Sequence, residues 1–239
     1  MTAESDTKTI VSYSRLAGLA YFVSIVVALI NVNSIDASLI DHNNAAATFE
    51  NISKHEGLFR LGLALEILMW ALVILLSVTL FVTLAKVDYN LALIAMVFRV
   101  AEAVIGLGIV VTSGMVPLML IHNADLVGTQ TAQALAATLI KAEGAGFDVA
   151  LIFIGIGGTI FFYLFYKSRY IPRILSVWGI FTYLSMLTVS IASVMTPGFP
   201  EWVKLALFAP GGIFEILIGL WLMIKGVDTR QVVNQLKGN

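Results

Sequence analysis

The sequence predicts an all-α polytopic membrane protein, a bundle of six transmembrane helices with both termini in the cytoplasm. Three observations predict this fold class: a low charge content, six long apolar runs and an uneven distribution of lysine and arginine. Of the 239 residues, 59% are hydrophobic and only 12% are charged, and the mean hydropathy is +0.94. A soluble domain has about 25% charged residues, so this chain lacks the water-facing surface of a soluble fold.

Six runs are long enough to cross a bilayer, which takes about 20 mostly apolar residues. The apolar runs are continuous, which favours helices over the alternating strands of a β-barrel. Lys8 and Arg15 stand before the apolar core of the first run, as in a secretory signal. No small-x-small cleavage motif follows that core, so we predict a retained helix. The six predicted spans are residues 15–32, 58–85, 91–116, 146–166, 174–195 and 202–224.

The distribution of cations predicts the orientation, because lysine and arginine are enriched on the cytoplasmic side. The "KSRYIPR" loop (167–173) is the strongest anchor, since its three cations are combined with Tyr166 and Tyr170. We therefore expect a cytoplasmic tail at 1–14, a membrane domain at 15–227 and a cytoplasmic tail at 228–239. The predicted inner segments hold Lys8, Arg15, Lys86, Lys167, Arg169, Arg173, Lys225, Arg230 and Lys237, against Lys54, Arg60, Lys141 and Lys204 in the outer ones.

The two long connections, 33–57 and 117–145, lie on the predicted outer side. In the first, we predict a short interfacial helix from Ala45 to His55, with Asn43 or Asn44 as its N-cap. In the second, "TAQALAATLIKAEG" (131–144) predicts a separate surface helix. Its Leu135, Leu139 and Ile140 would share one face.

Several classes of function are excluded by composition. The net charge of −1 offers no basic patch for nucleic acid, and the chain has no cysteine for disulfides, thiolate metal sites or nucleophiles. Three histidines, His42, His55 and His122, fall in the outer connections beside Asp41 and Glu56. These residues could meet at a surface metal site, but their spacing matches no zinc signature. We therefore predict no metal, no other cofactor and no nucleic-acid partner.

The stretch "AMVFRVAEAV" (95–104) places an arginine and a glutamate inside the third span. A charge at the bilayer centre costs about 2.5–3.5 kcal/mol on insertion scales, so such residues must face the bundle interior and find partners. On this span, Arg99 and Glu102 share a helical stripe with Ala95, Gly106 and Ser113. The six ionisable residues within or at the rims of spans are Arg60, Glu66, Arg99, Glu102, Asp148 and Glu215.

Depth along each helix groups these residues into a central cluster and an outer pair. At about 1.5 Å per residue, Glu66, Glu102 and Glu215 reach the level of Arg99, and we predict that they form a ligand-binding or ion-pair cluster. The negative charge is in surplus, so at least one acid carries a proton or the site holds a cation. Just before Glu215, "FAPGGIFE" (208–215) predicts a kinked or loosened helix.

The outer pair is Arg60 and Asp148, which the same helical rise per residue places near the outer surface of the membrane. Both are close enough to water for solvation or an ordinary structural ion pair to explain them. We keep them as rim candidates.

The order and spacing of several stretches resemble a bacterial integral-membrane family catalogued as domain of unknown function 4386. The most specific are the "FR" of the third span, the "Y-x-P-R" loop and the "LWL" that follows Glu215. The resemblance implies six spans in a bacterial cytoplasmic membrane and brings no established activity. It also implies that Glu66 stands where other members often carry Asp, and that a histidine common near Glu143 is missing here. Residues that match pattern positions are Arg15, Arg60, Arg99, Arg173 and Glu215.

Three functions remain open. We favour a small-molecule or proton-linked transporter or ligand-binding protein that uses the buried Arg/Glu cluster. The first alternative is a structural or partner-binding subunit whose ion pairs only hold helices together. The second is an intramembrane enzyme acting on a lipid, with paired carboxylates as general acid and base. The expected partners are the lipid bilayer and a small-molecule or ion ligand.

Overall fold

The computed structural model describes residues 3–41 and 43–238. Within these residues the secondary structure is helical, with no β-strand, which confirms the all-α prediction. Two short π-helical segments, π1 (Asn31–Asp36) and π2 (Val110–Met115), interrupt the α-helices. The α-helices are α1 (Ala3–Ile30), α2 (Ala37–Leu39), α3 (Ala45–Lys54), α4 (Glu56–Leu84), α5 (Tyr89–Ile109), α6 (Val116–His122), α7 (Ala124–Val127), α8 (Thr129–Ser168), α9 (Arg173–Met195), α10 (Glu201–Ile224) and α11 (Thr229–Gly238).

In the part of the chain that the structure describes, six helical stretches are long and apolar enough to cross a membrane. Each overlaps one of the six predicted spans, and many large apolar side chains on their outer surfaces are exposed. The chain is therefore a multi-pass integral membrane protein. The six stretches are Glu4–Leu39, Glu56–Leu84, Tyr89–His122, Thr129–Ser168, Arg173–Met195 and Trp202–Ile224.

Spans one and three extend beyond their predicted outer ends, because a π-helical segment continues each helix. The polar sequence "NVNSID" (31–36) forms π1, and its Asn31 and Ile35 are buried. Similarly, π2 joins α5 to α6, with Pro117 in the first turn of α6, where proline is tolerated. π-helical turns are rare and occur frequently at functional sites.

The prediction of a separate surface helix at 131–144 is wrong. These residues form the first part of α8, a continuous helix of 40 residues. At about 1.5 Å per residue it is about twice as long as the hydrocarbon core is thick. The buried positions in this part are Ala132, Ala136 and Ile140, whereas Leu135 is 47% exposed. The helix continues because no proline interrupts it and a helix tolerates isolated glycines.

The short helix predicted in the first long connection, 33–57, is confirmed. α3 spans Ala45–Lys54, and the Asn44 side chain accepts a hydrogen bond of 3.0 Å from the Ala47 backbone N–H. Its buried Ile52 packs with residues of α2, α4, α6 and α8, Leu39 and Phe59 among them. This hydrophobic cluster therefore packs α3 against the bundle.

Parts of both predicted tails are helical and pack onto the membrane domain. α1 begins at Ala3, so it includes most of the predicted tail at 1–14. α11 occupies most of the tail predicted at 228–239. Ile10 and Val232 are both buried in the main hydrophobic core. α10 also runs through Pro210 as one continuous helix, so the "FAPGGIFE" stretch is not unwound.

Glycines allow the closest helix crossings. A Cβ at Gly18 would lie 2.2 Å from the Met223 backbone N and 2.7 Å from the Gly219 carbonyl oxygen. A Cβ at Gly155 would lie 2.9 Å from the Leu187 backbone N. Because a backbone cannot rotate away as a side chain can, these two positions fix how closely α1 approaches α10 and α8 approaches α9.

We expect Gly18→Ala to destabilise the protein through the α1–α10 crossing. Overpacking of this kind costs about 1–3 kcal/mol, so the variant should unfold at a lower temperature than the wild type in detergent. The matched control is Gly108→Ala on α5, where nothing lies within 4 Å of the added Cβ. Gly18→Ala unfolding at or above the wild-type temperature would contradict this account of the crossing.

Candidate functional site

Arg99 lies at the centre of the bundle, on the buried face of α5. The five positions of the predicted stripe, Ala95, Arg99, Glu102, Gly106 and Ser113, are all buried, as their helical spacing predicts.

Two glycines bring neighbouring helices against this face. A Cβ at Gly106 would lie 2.1 Å from the Trp70 indole of α4. A Cβ at Gly157 of α8 would lie 2.9 Å from Cγ of Arg99. The arginine is therefore enclosed by α4, α5 and α8.

Arg99 and Glu102 form a buried ion pair one helical turn apart. The Arg99 Nη1 and Glu102 Oε2 atoms are 2.6 Å apart, and the two side chains are only 3% and 5% exposed. Among the described residues, Nε of Arg99 has no hydrogen-bond partner. Buried groups of this kind are normally satisfied, so the pair retains unused hydrogen-bonding capacity.

Glu215 reaches the same region through two tyrosines. The Tyr183 hydroxyl donates a hydrogen bond of 2.9 Å to Glu215 Oε1. The hydroxyls of Tyr21 and Tyr183 are themselves 2.9 Å apart and hydrogen-bonded. This chain of polar groups connects α1, α9 and α10 in the interior of the bundle.

The two tyrosines were missed by the sequence reasoning, which considered only charged residues. A signal was present in the sequence, because Tyr21 and Tyr183 fall in the interior of the first and fifth predicted spans. Tyrosine in membrane proteins is enriched at the membrane surface instead. A tyrosine deep in a span therefore indicates a buried polar partner for its hydroxyl.

A cavity of about 150 Å³ lies beside these groups and is lined by residues of α1, α4, α5, α8 and α10. Its walls are mostly apolar, and Trp70 and Phe147 contribute aromatic rings that contact each other at 5.8 Å between centroids. Its polar lining residues are Tyr21, Ser24, Arg99, Glu102 and Glu215. The cavity combines an apolar wall with a polar side, as small-molecule sites do.

The charges at this cavity do not balance. Among the described lining residues, Arg99 supplies one positive charge and Glu102 and Glu215 supply two carboxylates. An unpaired charge away from water is costly. Electrostatics therefore favours a proton on one carboxylate or a cation from outside the chain.

Glu66 lies in a different cluster, although the depth count placed it level with Arg99. Its Oε1 accepts a hydrogen bond of 3.2 Å from Asn31 Nδ2. It lines a small cavity of about 20 Å³ with Asp36 and Glu143, between π1 and π2. No ion pair joins Glu66 to Arg99 among the residues that the structure describes. The rotation of α4 explains the separation, since α4 turns Trp70 towards Gly106 and Glu66 towards Asn31.

The two rim candidates are also separate from the central cavity and from each other. Arg60 Nε contacts Glu56 Oε1 at 2.6 Å on the exposed surface. Asp148 is buried, and its Oδ2 accepts hydrogen bonds from Lys204 Nζ at 2.8 Å and Ser193 Oγ at 2.6 Å. Asp148 therefore links α8 to α9 and α10. The contact of Arg60 with Glu56 instead lies within α4.

The histidines of the two long connections do not form a metal site among the described residues. His122 Nε2 lies 2.8 Å from Glu56 Oε2, and His42 lies outside the described residues. Across residues 3–41 and 43–238, no group of three His, Cys, Asp or Glu side chains has a spacing suited to a metal ion.

Comparison with known proteins gives a family but no activity. The family model described as Domain of unknown function (DUF4386) matches residues 16–226, which include nearly all six spans. No curated protein matches the chain, and no solved structure matches it.

We expect the Arg99–Glu102 pair to behave as a coupled unit in a double-mutant cycle. Either Arg99→Met or Glu102→Leu leaves one buried charge unpaired, which costs about 3–5 kcal/mol. The double variant leaves neither charge, so it should lose much less stability than the two single losses added together. The measurement is SDS-induced unfolding in mixed micelles.

The control for this cycle is Arg60→Met, which removes an exposed cation and should change stability by less than about 1 kcal/mol. Additive losses in the cycle would mean that the two charges do not depend on each other. That result would contradict the ion pair.

Proposed function

The chain belongs to the Domain of unknown function (DUF4386) family, and we propose that it binds a small molecule inside the membrane, as a transporter or ligand-binding protein. The site is the cavity beside Arg99, Glu102 and Glu215. We place the protein in the cytoplasmic membrane of a bacterium with both termini in the cytoplasm. That orientation follows from the excess of lysine and arginine in the predicted inner segments.

The observation that carries this proposal is an open cavity beside a buried arginine with an unused donor. Arg99 is 2% exposed, and its Nη1 pairs with Glu102 Oε2 at 2.6 Å, but Nε has no hydrogen-bond partner in the described part of the chain. An interior built only for packing would leave no such donor unpaired, because unmade buried hydrogen bonds cost free energy. A ligand or ordered water in the cavity would complete the coordination of this group.

The cavity sets the size and polarity of the ligand. Its volume of about 150 Å³ equals that of an engineered protein cavity that binds benzene. A ligand of about six non-hydrogen atoms therefore fits. Its apolar part would contact Trp70 and Phe147, and its polar part would face Glu102 and Glu215.

The surplus carboxylate indicates the charge of the ligand. With one guanidinium and two carboxylates at the cavity, a small organic cation such as a primary amine would bring the site to neutrality. A proton on Glu215 would do the same when the cavity is empty. Binding of an amine would then release that proton, which is the simplest form of proton-linked transport for this site.

Glu215 is the better candidate for the exchangeable proton. Glu102 is 2.6 Å from a guanidinium nitrogen, which favours its charged form. Glu215 instead accepts a hydrogen bond from the neutral Tyr183, and it is half-buried at the cavity. The hydrogen-bonded tyrosines can rotate their hydroxyls to suit either state of Glu215.

The test measures binding of a panel of primary amines, from methylamine to cyclohexylamine, to the purified protein in lipid nanodiscs. We expect at least one to raise the unfolding temperature, since a ligand at about 100 times its Kd stabilises by about 2.7 kcal/mol. In proteoliposomes, the same amine should move in response to an imposed pH gradient.

Glu215→Gln should abolish both the stabilisation and the flux, because the amide cannot take a negative charge. The matched control is Glu50→Gln on α3, because Glu50 is exposed and does not line the cavity. No stabilisation by any amine, together with no flux, would count against the proposal. Equal loss in the two variants would contradict the role of Glu215.

A further inference from the structure

A third cavity, of about 560 Å³, opens beside the loop that links α8 to α9. The loop residues Arg169–Arg173 form one side, and the end of α10 with the turn before α11 forms the other. Three spans end here, at Ser168, Arg173 and Ile224. The cavity therefore lies at the membrane surface, and it shares no lining residue with the central cavity.

The charge of this cavity is strongly positive. Arg169, Arg173 and Lys225 line it, and Asp228 is the acidic residue among its described lining residues. The Asp228 carboxylate already accepts a hydrogen bond of 2.9 Å from the Arg230 backbone N–H. Within the described residues, no carboxylate lies within salt-bridge distance of the three cations. The cations are exposed, concentrated in one concave surface and not neutralised by the chain.

Aromatic rings hold two of these cations in place. Lys225 Nζ lies 4.5 Å from the centroid of the Trp221 ring, and the Arg173 guanidinium lies 5.1 Å from the centroid of the Tyr166 ring. A cation–π contact orients a cation without cancelling its charge. Burial raises the pKa of Tyr170 to about 12, so this phenol adds no negative charge near neutral pH.

The third cation occupies an unusual backbone position. Arg169 ends α8 with a φ of 57°, and it is the one non-glycine residue with positive φ in the described chain. Helices commonly end in this left-handed conformation at glycine, which adopts it without a Cβ penalty. An arginine here bears a conformational cost that glycine would avoid, and residues in such conformations cluster at functional sites.

We propose that this cavity binds the headgroup of an anionic phospholipid, whose phosphate charge no cationic headgroup cancels. Arginine and lysine are the residues that recognise phosphate, arginine through paired N–H donors. Basic pockets between helices at the cytoplasmic surface are suited to anionic headgroups. Beside the cavity, Ile174 is 77% exposed and Ile224 is 67% exposed, so acyl chains of a bound lipid would lie against apolar side chains. That last feature favours a lipid over a free phosphate ion.

The experiment is native mass spectrometry of the full chain in detergent, with phosphatidylglycerol and phosphatidylcholine of identical acyl chains. We expect one phosphatidylglycerol to be retained in preference to phosphatidylcholine. Lys225→Gln should weaken that binding about fivefold, because one surface cation contributes about 1 kcal/mol to attraction of anionic lipid. Arg230→Gln is the control, since this exposed cation lies on α11 near the cavity without lining it.

Arg169→Gly separates lipid binding from folding. Glycine relieves the left-handed backbone, so the unfolding temperature should stay the same or rise while phosphatidylglycerol binding falls about fivefold. Equal retention of the two lipids would overturn the proposal. So would equal losses in Lys225→Gln and Arg230→Gln, or displacement of the lipid by excess inorganic phosphate, which would indicate a site for the free ion.

Discussion

The arrangement of the bundle depends on one constraint, that a guanidinium inside the bilayer must be surrounded by protein and paired. Arg99 meets this constraint through Glu102, one turn away on α5. Enclosing the pair requires α4 and α8 to approach closely, and Gly106 and Gly157 make room for them. The third span can therefore carry two charges because the neighbouring helices exclude lipid from both.

The Arg99–Glu102 pair is incompletely hydrogen-bonded, so the interior of the bundle offers polar groups that are not used in packing. A cavity adjoins Arg99, and the chain Tyr21–Tyr183–Glu215 brings a second carboxylate to it. The site has an apolar wall, one fixed cation and two acids. We propose that such a site discriminates by size and charge together, which would suit a small organic cation or a proton better than a lipid chain.

Local rules in the sequence predicted the six spans, an N-cap at Asn43 or Asn44 and the buried stripe of α5, because each depends on nearby residues only. The relative rotation of the helices depends on tertiary packing. Depth counting therefore placed Glu66 level with Arg99, but it could not show that α4 turns Glu66 towards Asn31. Tyr21 and Tyr183 were missed for a different reason, since only charged residues were considered although a tyrosine inside a span already indicates a buried polar partner. The surface helix predicted at 131–144 is instead the first part of α8, which continues through Gly144 and Gly146 into the fourth span.

The central claim is that the space beside Arg99 is a binding site rather than a packing defect. The most direct measurement is an experimental structure of the protein in native lipid, at a resolution that shows ordered water and small ligands. The account predicts density in the cavity within hydrogen-bond distance of Arg99 Nε and a carboxylate oxygen of Glu215. A dry, closed interior, with Arg99 forked onto Glu102 and a second acid, would contradict it and would show that the charges only hold the helices together.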